Sequence, residues 1–215
     1  MGNASHMPAP WQEVTLPSSP SERDPFTDNM AEAWITSRQN ISPKRLEAPG
    51  PDVSQLQQIF RSAASAPDHG LVKPWRFVIV PQDKRALLAE VFALALVDRD
   101  PGATLEQIET AREKAHRAPV LMLVVAQLGT CEPPIPSLER MVSVGAAVQN
   151  MLLMAHGQGF GSSLTSGQAM QSTRMRQLFG LAAGEEAVCF LNIGTVSKRK
   201  ARRLHPEVQN FVSTL

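Results

Sequence analysis

The chain has only two cysteines in 215 residues, Cys131 and Cys189, and they form no CxxC. Neither a disulfide framework nor a zinc site is expected, and reducing, cytoplasmic surroundings are. Long apolar runs are missing as well. None reaches the ~18 residues of a membrane span, and the opening MGNASHM lacks the apolar core of a secretory signal. Ser5-His6-Met7 reads as a cloning remnant, with Met7 as the expected natural start. Nor is there an excess of one charge. A formal net charge of +1 argues against a surface built throughout for nucleic acid or anionic membrane. The sequence contains no GxSxG, HExxH or GxxxxGK[ST]. Gly157-Gln-Gly159-Phe-Gly161 approaches the dinucleotide fingerprint but follows a helical stretch rather than a strand. No pair of histidines has metal spacing, and His205 sits in the tail. Neither a catalytic side chain nor a metal is therefore expected.

What remains is ordinary core material, 43% apolar and 19% charged, enough for one domain. Residues 8–29 hold five prolines among Ser, Asp and Glu and read as a flexible arm, with Trp11 its one large aromatic. The expected divisions are 1–29 for remnant and arm, 30–200 for the folded domain, and 201–215 for a tail able to cross to a partner subunit. Within the domain, Met30–Arg38 has the spacing of a short amphipathic helix, and QNISPKRLEAPGP reads as an irregular connection. Asp52 with Gln55 forms a capping box ahead of Val53, Leu56, Ile59, Phe60, Ala63 and Ala64 at helical spacing. Pro67 cannot continue that helix, and Arg76–Val80 follows as a strand. Helices are expected at Asp83–Val97 and Thr104–Arg117. The continuously apolar Pro119–Gln127 fits a strand buried on both faces. Ser137–Gly157 reads as a long central helix, GQGFGSSLTSG as a glycine-rich loop, Ser172–Phe179 as a short helix and Ala187–Ile193 as a last core strand. This order predicts an α+β domain in three layers, α/β/α, with a mixed central sheet.

Four polar clusters sit at element ends: Ser37-Arg38-Gln39-Asn40, Ser65 to His69 with Lys73, Thr165-Ser166-Gly167, and Lys198-Arg199-Lys200. Arginine with amide and hydroxyl donors is the equipment that holds a phosphate. Taken singly, each also has a plainer reading. Arg38 is a solvated helix-end charge, the basic run a solvated tail, His69 a cap on the preceding helix, and Trp75 core packing at a strand's mouth.

The order of these clusters along the chain resembles the FMN-dependent nitroreductase superfamily, particularly its small, compact members. SRQNISPKRL stands where that family has an Arg-Arg-Ser motif, and RSAASAPDHGLVKPWRFVIV matches its helix–APDH–PWxF segment. VGAAVQNMLLMAHGQGFGSSLTSG matches its central helix, and FLNIGTVSKRK its last strand and basic turn. The matching segments run from about Trp34 to Lys200. The resemblance implies a homodimer with FMN in the interface. Arg38, Gln39 and Asn40 would hold the phosphate and ribityl chain. Ser65 and His69 would touch the flavin, and Leu164, Thr165 and Ser166 would contact it across the subunit boundary. Met154, Ala155, His156, Gly157, Gln158 and Gly159 match a stretch linked to nicotinamide binding. Arg-Arg-Ser has become Arg-Gln-Asn, so phosphate affinity would rest more on Lys198 or Arg199. In the APDH segment, Pro67 stops the helix and Asp68-His69-Gly70 turns the backbone so that His69 lies beside a flat polar ligand. Gly70 allows close approach.

The implied activity is ping-pong transfer of a hydride from NADH or NADPH through flavin N5 to a nitroaromatic, quinone or similar small acceptor. No acid or nucleophile from the protein is needed. Lys73 or Arg38 is the expected cation near flavin N1. A flavin carrier or sensor with little turnover is the alternative. A nucleic-acid module built on Lys198–Arg203 ranks third, because no recognition motif surrounds that run.

Overall fold

The computed structural model describes residues 25–199, 201 and 205–215, with side chains from Met30 onward. The arm to residue 24, with Trp11, and Lys200 lie outside the described residues.

The sheet is organised around its last strand. β5 (Glu185–Val196) pairs antiparallel with β3 (Val120–Gln127), and β3 pairs antiparallel with β2 (Trp75–Ile79). The far end of β5 also holds β4 (Gly161–Thr165) and the two-residue β1 (Leu46–Glu47), both antiparallel. The parallel element is a single bridge, Asn40 to Ser162, which lays the chain after the first helix beside β4.

The apolar run of β3 is buried on both faces, as continuous hydrophobicity without alternation requires. Met122, Val124 and Ala126 join the core shared with α2 (Val53–Ala63) and α5 (Ser137–Gly157). Leu121, Leu123 and Val125 point the other way, into a second core with α3 (Arg85–Arg99) and α6 (Thr173–Leu178). The period of two divides one strand between two helical layers, giving the three-layer α/β/α arrangement. Each fully buried aliphatic side chain contributes roughly 1.5–3 kcal/mol. Cys189, on β5 and buried in the first core, has its thiol pushed up to about 11 by desolvation. Trp75 packs against the first core, which is the structural role expected of it.

Local signals set most helix ends. The Asp52 carboxylate accepts from the Gln55 N–H at 2.8 Å while the Gln55 amide oxygen accepts from the Asp52 N–H at 2.9 Å. Thr104 and Gln107 cap α4 (Leu105–Glu113) in the same way. α2 ends at Ala63, four residues before Pro67, and a tight turn at His69–Leu71 carries Gly70 at φ 71°.

Three elements depart from the sequence reading. α1 starts at Pro25 and ends at Ser37, so the helix expected from Met30 begins within the expected arm. β1 lies in the stretch read as an irregular connection. β4 replaces part of the expected glycine-rich loop. GSSLT has little strand character of its own; its backbone is held by the β5 edge, which burial of Ser162 and Ser163 makes binding. Gly161 is needed there because a Cβ would run into Val196 and Leu46 at 2.5 and 2.8 Å.

Two arginines are buried without a carboxylate partner. Arg85 donates to the carbonyls of Val80, Ala115, Arg117 and Pro119, at 2.7–3.3 Å. Arg140 donates to those of Gln127, Leu128 and Gly129. Arg85 ties α3 to the segment leading into β3, and Arg140 ties α5 to the loop that follows β3.

Candidate functional site

α1 ends at Ser37, and the next residues run alongside β4, where Ile41 N–H donates to the Ser162 carbonyl at 3.0 Å. That brings Arg38 and Gln39 to the C-terminal end of α5 and the far end of β5. A narrow cleft forms there, lined by Ser37, Arg38, Gln39, His156, Ser162 and Arg199, with Ile41, Phe160 and Val196 behind them. Arg38 is half-buried, and its Nε–H is a buried donor with no partner among the described residues. Its guanidinium therefore has a hydrogen bond to give to a ligand without first breaking one.

His156 completes this cleft. Its Nε2 lies 2.8 Å from the Ser37 hydroxyl, and its ring meets the Trp34 ring edge-on. Trp34 comes close enough that a Cβ at Gly157 would overlap it, which accounts for glycine at that position. Burial, and then the charges of Arg199 and Arg38, hold the His156 imidazole below its usual pKa.

A second cavity, of about 750 Å³, opens at the other end of β4. Thr165, Ser166 and Gly167 form its rim, Phe190 and Leu121 its apolar floor, and Asn192 its buried polar wall. The Asn192 amide donates to Thr165 Oγ1 at 3.0 Å, so the hydroxyl is oriented by a side chain that is itself 1% exposed. The opposite wall comes from α4 and the turn after it, with Thr110, Lys114 and Arg117, and from Arg99 and Asp100 at the end of α3. Between Gly161 at the cleft and Thr165 at the cavity, four strand steps span about 13 Å. On this side of the strand Ser163 Oγ is a second buried polar atom without a partner. β4 thus has a cationic cleft at its Gly161 end and a roomy cavity with an apolar floor at its Thr165 end.

The remaining residues singled out from sequence fall elsewhere on one chain. Ser65 and His69 are exposed beside the N-terminal end of α5, where His69 Nδ1 pairs with Glu139 at 2.5 Å. This pair is solvated and contributes little to stability. Lys73 is near it, its N–H held by the Asp68 carboxylate. Leu164 is 40% exposed and turns away from the cavity that Thr165 lines. Asn40 is exposed at its bridge to Ser162, and Lys198 does not line the cleft. Within Met154–Gly159, Ala155 is fully buried in the core, and Gln158 donates to the Gln55 carbonyl and the Gln58 side chain of α2. Met154 and Gly159 line neither region, and His156 alone of the six faces the cleft.

Lys114, Arg117, Thr110 and Asn192 are lining residues that the sequence reading did not pick out. A signal for three of them exists: within the helix expected over Thr104–Arg117, Thr110, Lys114 and Arg117 are spaced i, i+4, i+7 on one helical face. Asn192 has none, being one polar residue inside an apolar strand.

A family model described as the nitroreductase family matches residues 35–195. A Haemophilus influenzae protein named "Putative NAD(P)H nitroreductase" is 32% identical over 182 residues, 84% of this chain and 97% of its own length. Among solved structures, a nitroreductase-like family protein from Bacillus cereus superposes with a TM-score of 0.73 at 17% identity, covering 85% of this chain and 94% of the other. The FMN-dependent nitroreductase NfnB from Mycobacterium smegmatis, in complex with NADPH, superposes with a TM-score of 0.62 at 15% identity, covering 79% and 89%.

Proposed function

The chain belongs to the nitroreductase family, and from that premise we propose that it is an FMN-dependent oxidoreductase. It carries reducing equivalents from NADH or NADPH to a nitroaromatic, quinone or similar small acceptor by ping-pong exchange. The observation that carries this reading is the convergence of Arg38 and Arg199 on one cleft, with a buried guanidinium N–H left free, at the end of a strand that leads to a large cavity. The first, narrow as it stands, gathers the cationic donors that suit a phosphate, and the second has room for a planar ring with polar edges. The M. smegmatis neighbour, named as FMN-dependent and bound to NADPH, supports pairing the two cofactors.

When bound, FMN supplies the redox chemistry, accepting and donating a hydride at N5. The protein's contribution is position and charge. Arg38 and Arg199 neutralise the phosphate, Arg38 by the forked donor geometry that lysine lacks. Gln39 and Asn40 stand beside the ribityl chain. Thr165, held by Asn192, and Ser166 present polar groups to the ring, while Phe190 and Leu121 exclude water beneath it. Lys114 and Arg117 are the cations best placed to stabilise negative charge on the ring; Lys73 lines neither region. No side chain has to act as acid or nucleophile.

Ser65, His69 and Leu164 reach the same ring only from a second copy of the chain. The surface supports such a homodimer. Leu138 and Val142 are 81% and 71% exposed on one face of α5, and Leu71, on the turn that His69 ties to Glu139 of the same helix end, is exposed as well. An apolar stripe of this kind on a long helix marks an interface. The flavin domain proposed over residues 30–200 reaches back to Pro25 at the start of α1, and the tail from 201 carries exposed Val208 and Phe211 suited to crossing onto the partner. Val142→Glu is expected to convert the dimer to monomer in light scattering and to strip the flavin with it. A dimeric, flavin-loaded variant would refute this interface.

Free Cys131 and Cys189 agree with a cytoplasmic setting, and no helix among the described residues is long and apolar enough to cross a membrane. The decisive experiment is reconstitution. Protein loaded with FMN should show a flavin band near about 450 nm and oxidise NADH or NADPH when a nitroaromatic or quinone is supplied. Binding without turnover would leave the carrier reading standing. Failure to take up FMN at all would remove both.

A further inference from the structure

The two arginines explain why a phosphate would enter the cleft, but not why a histidine is built into its wall. His156 sits in the last turn of α5, where the carbonyl end of the helix dipole repels an anion. A neutral imidazole does nothing to offset that. A protonated one does, and it faces the same cleft as Arg38 and Arg199. We propose that His156 is a third ligand of the FMN phosphate, one that binds as the imidazolium and so ties cofactor affinity to pH. The proposal rests on the FMN reading above and adds to it a proton taken from solvent when the phosphate arrives.

The geometry sets the ring up for this. Ser37 Oγ is at 2.8 Å from Nε2 and can accept from it when the ring is charged or donate to it when neutral. Trp34 packs edge-on and fixes the ring plane. Among the described residues, the charged groups on the elements packed against this end of α5 are Glu32 and Arg38 from α1 and its following turn, Asp52 capping α2, and Lys198 and Arg199 beyond β5. α2 presents the uncharged Gln55 and Gln58 there, and β4 presents Ser162. Of these charges, Arg199 and Arg38 bear on the imidazole and, with burial, favour its neutral form. A phosphate dianion between the guanidiniums cancels that repulsion and adds an attraction of its own. The ring's proton affinity must then rise on binding. By linkage, a group that gains a proton on binding strengthens binding as the pH falls.

The test compares FMN with riboflavin, which has the ring and ribityl chain but no phosphate, by fluorescence titration at pH 6.5 and 8.5. Wild type and His156→Gln are measured side by side, so that protonation of the FMN phosphate itself, with its second pKa near 6, affects both equally. The variant should bind FMN about tenfold more weakly at pH 6.5, the loss of one charge-assisted hydrogen bond, and within about twofold of wild type at pH 8.5. Riboflavin affinity should be the same for both proteins at both pH values. An FMN gap that is equal at the two pH values, or that appears with riboflavin too, would show a packing role and overturn the proposal. Should the variant not fold, calorimetry on wild type decides. FMN binding at pH 7 in two buffers of different ionisation heat should reveal proton uptake, and riboflavin binding none. Absence of uptake with FMN overturns the proposal while leaving the cofactor assignment intact. Absence of any FMN binding instead removes the cofactor assignment on which it stands.

Discussion

Arg38→Ala is expected to weaken FMN binding by about two orders of magnitude while leaving the stability of the FMN-free protein nearly unchanged. Both halves follow from where the side chain sits. The Arg38 Nε–H is buried and makes no hydrogen bond among the described residues, so truncation breaks no bond of that donor there. Toward a phosphate, the same guanidinium can offer two parallel charge-assisted bonds, each worth about 1.5–3 kcal/mol. The chain has Arg-Gln-Asn at this point, so a second adjacent cation is not available to compensate. Arg199, from the end of β5, is the remaining arginine lining the cleft. Arg38→Lys should recover part of the loss, because charge returns but the fork does not. Flavin fluorescence quenching gives the affinity and thermal denaturation without FMN gives the stability. If Arg38→Ala bound FMN within about threefold of wild type, the cleft would not be the phosphate site.

The largest effect on stability is expected at Arg85, a residue with no direct part in binding. It is 1% exposed, and its guanidinium donates to four backbone carbonyls, those of Val80, Ala115, Arg117 and Pro119. Desolvation lowers its proton affinity, yet from an ordinary value so high that the group stays charged. Arg85→Ala removes every one of these donors, opens a cavity and strands carbonyls in a region closed to water. The cost is about 3–5 kcal/mol, or roughly 6–20 °C in melting temperature for a chain of this size. Arg85→Met separates the contributions, restoring volume but no donors, and should recover only the part due to the cavity. The effect also reaches the site. The segment from Ala115 to Pro119 that Arg85 holds includes Arg117 on the cavity wall, so a surviving variant should show a raised KM for its acceptor. Urea denaturation provides the energy, and a loss below about 1 kcal/mol would mean that the carbonyls find other partners.

Much of the architecture could be read from local pattern. Asp52 with Gln55 and Thr104 with Gln107 cap their helices as their spacing predicts, and α5 runs from Ser137 to Gly157 as its apolar repeat requires. The double burial of β3 follows from an unbroken run of Val, Leu, Met and Ala. These signals are legible because the interaction that fixes each one lies within a few residues, or because burial imposes a period.

The site was only half legible. Arg38, Thr165 and Arg199 could be named from motifs, but not that Lys114 and Arg117 would line the same cavity as Thr165, or that His156 would stand beside Arg38. Still less could the sequence show that GSSLT would be a strand, since nothing in Gly-Ser-Ser-Leu-Thr favours one. Its conformation is set by the edge of β5, some thirty residues later in the chain.

By itself, then, the sequence determined most of the helices and the doubly buried strand, because propensity, capping and periodicity act over a few residues, and its motifs carried the family resemblance and the chemical type of its donors. The tertiary structure decided which donors share a cleft, that two arginines are buried among carbonyls, and that His156 faces a cationic pair. These depend on distances between segments far apart in the chain, and such distances exist only once the sheet has brought the segments together.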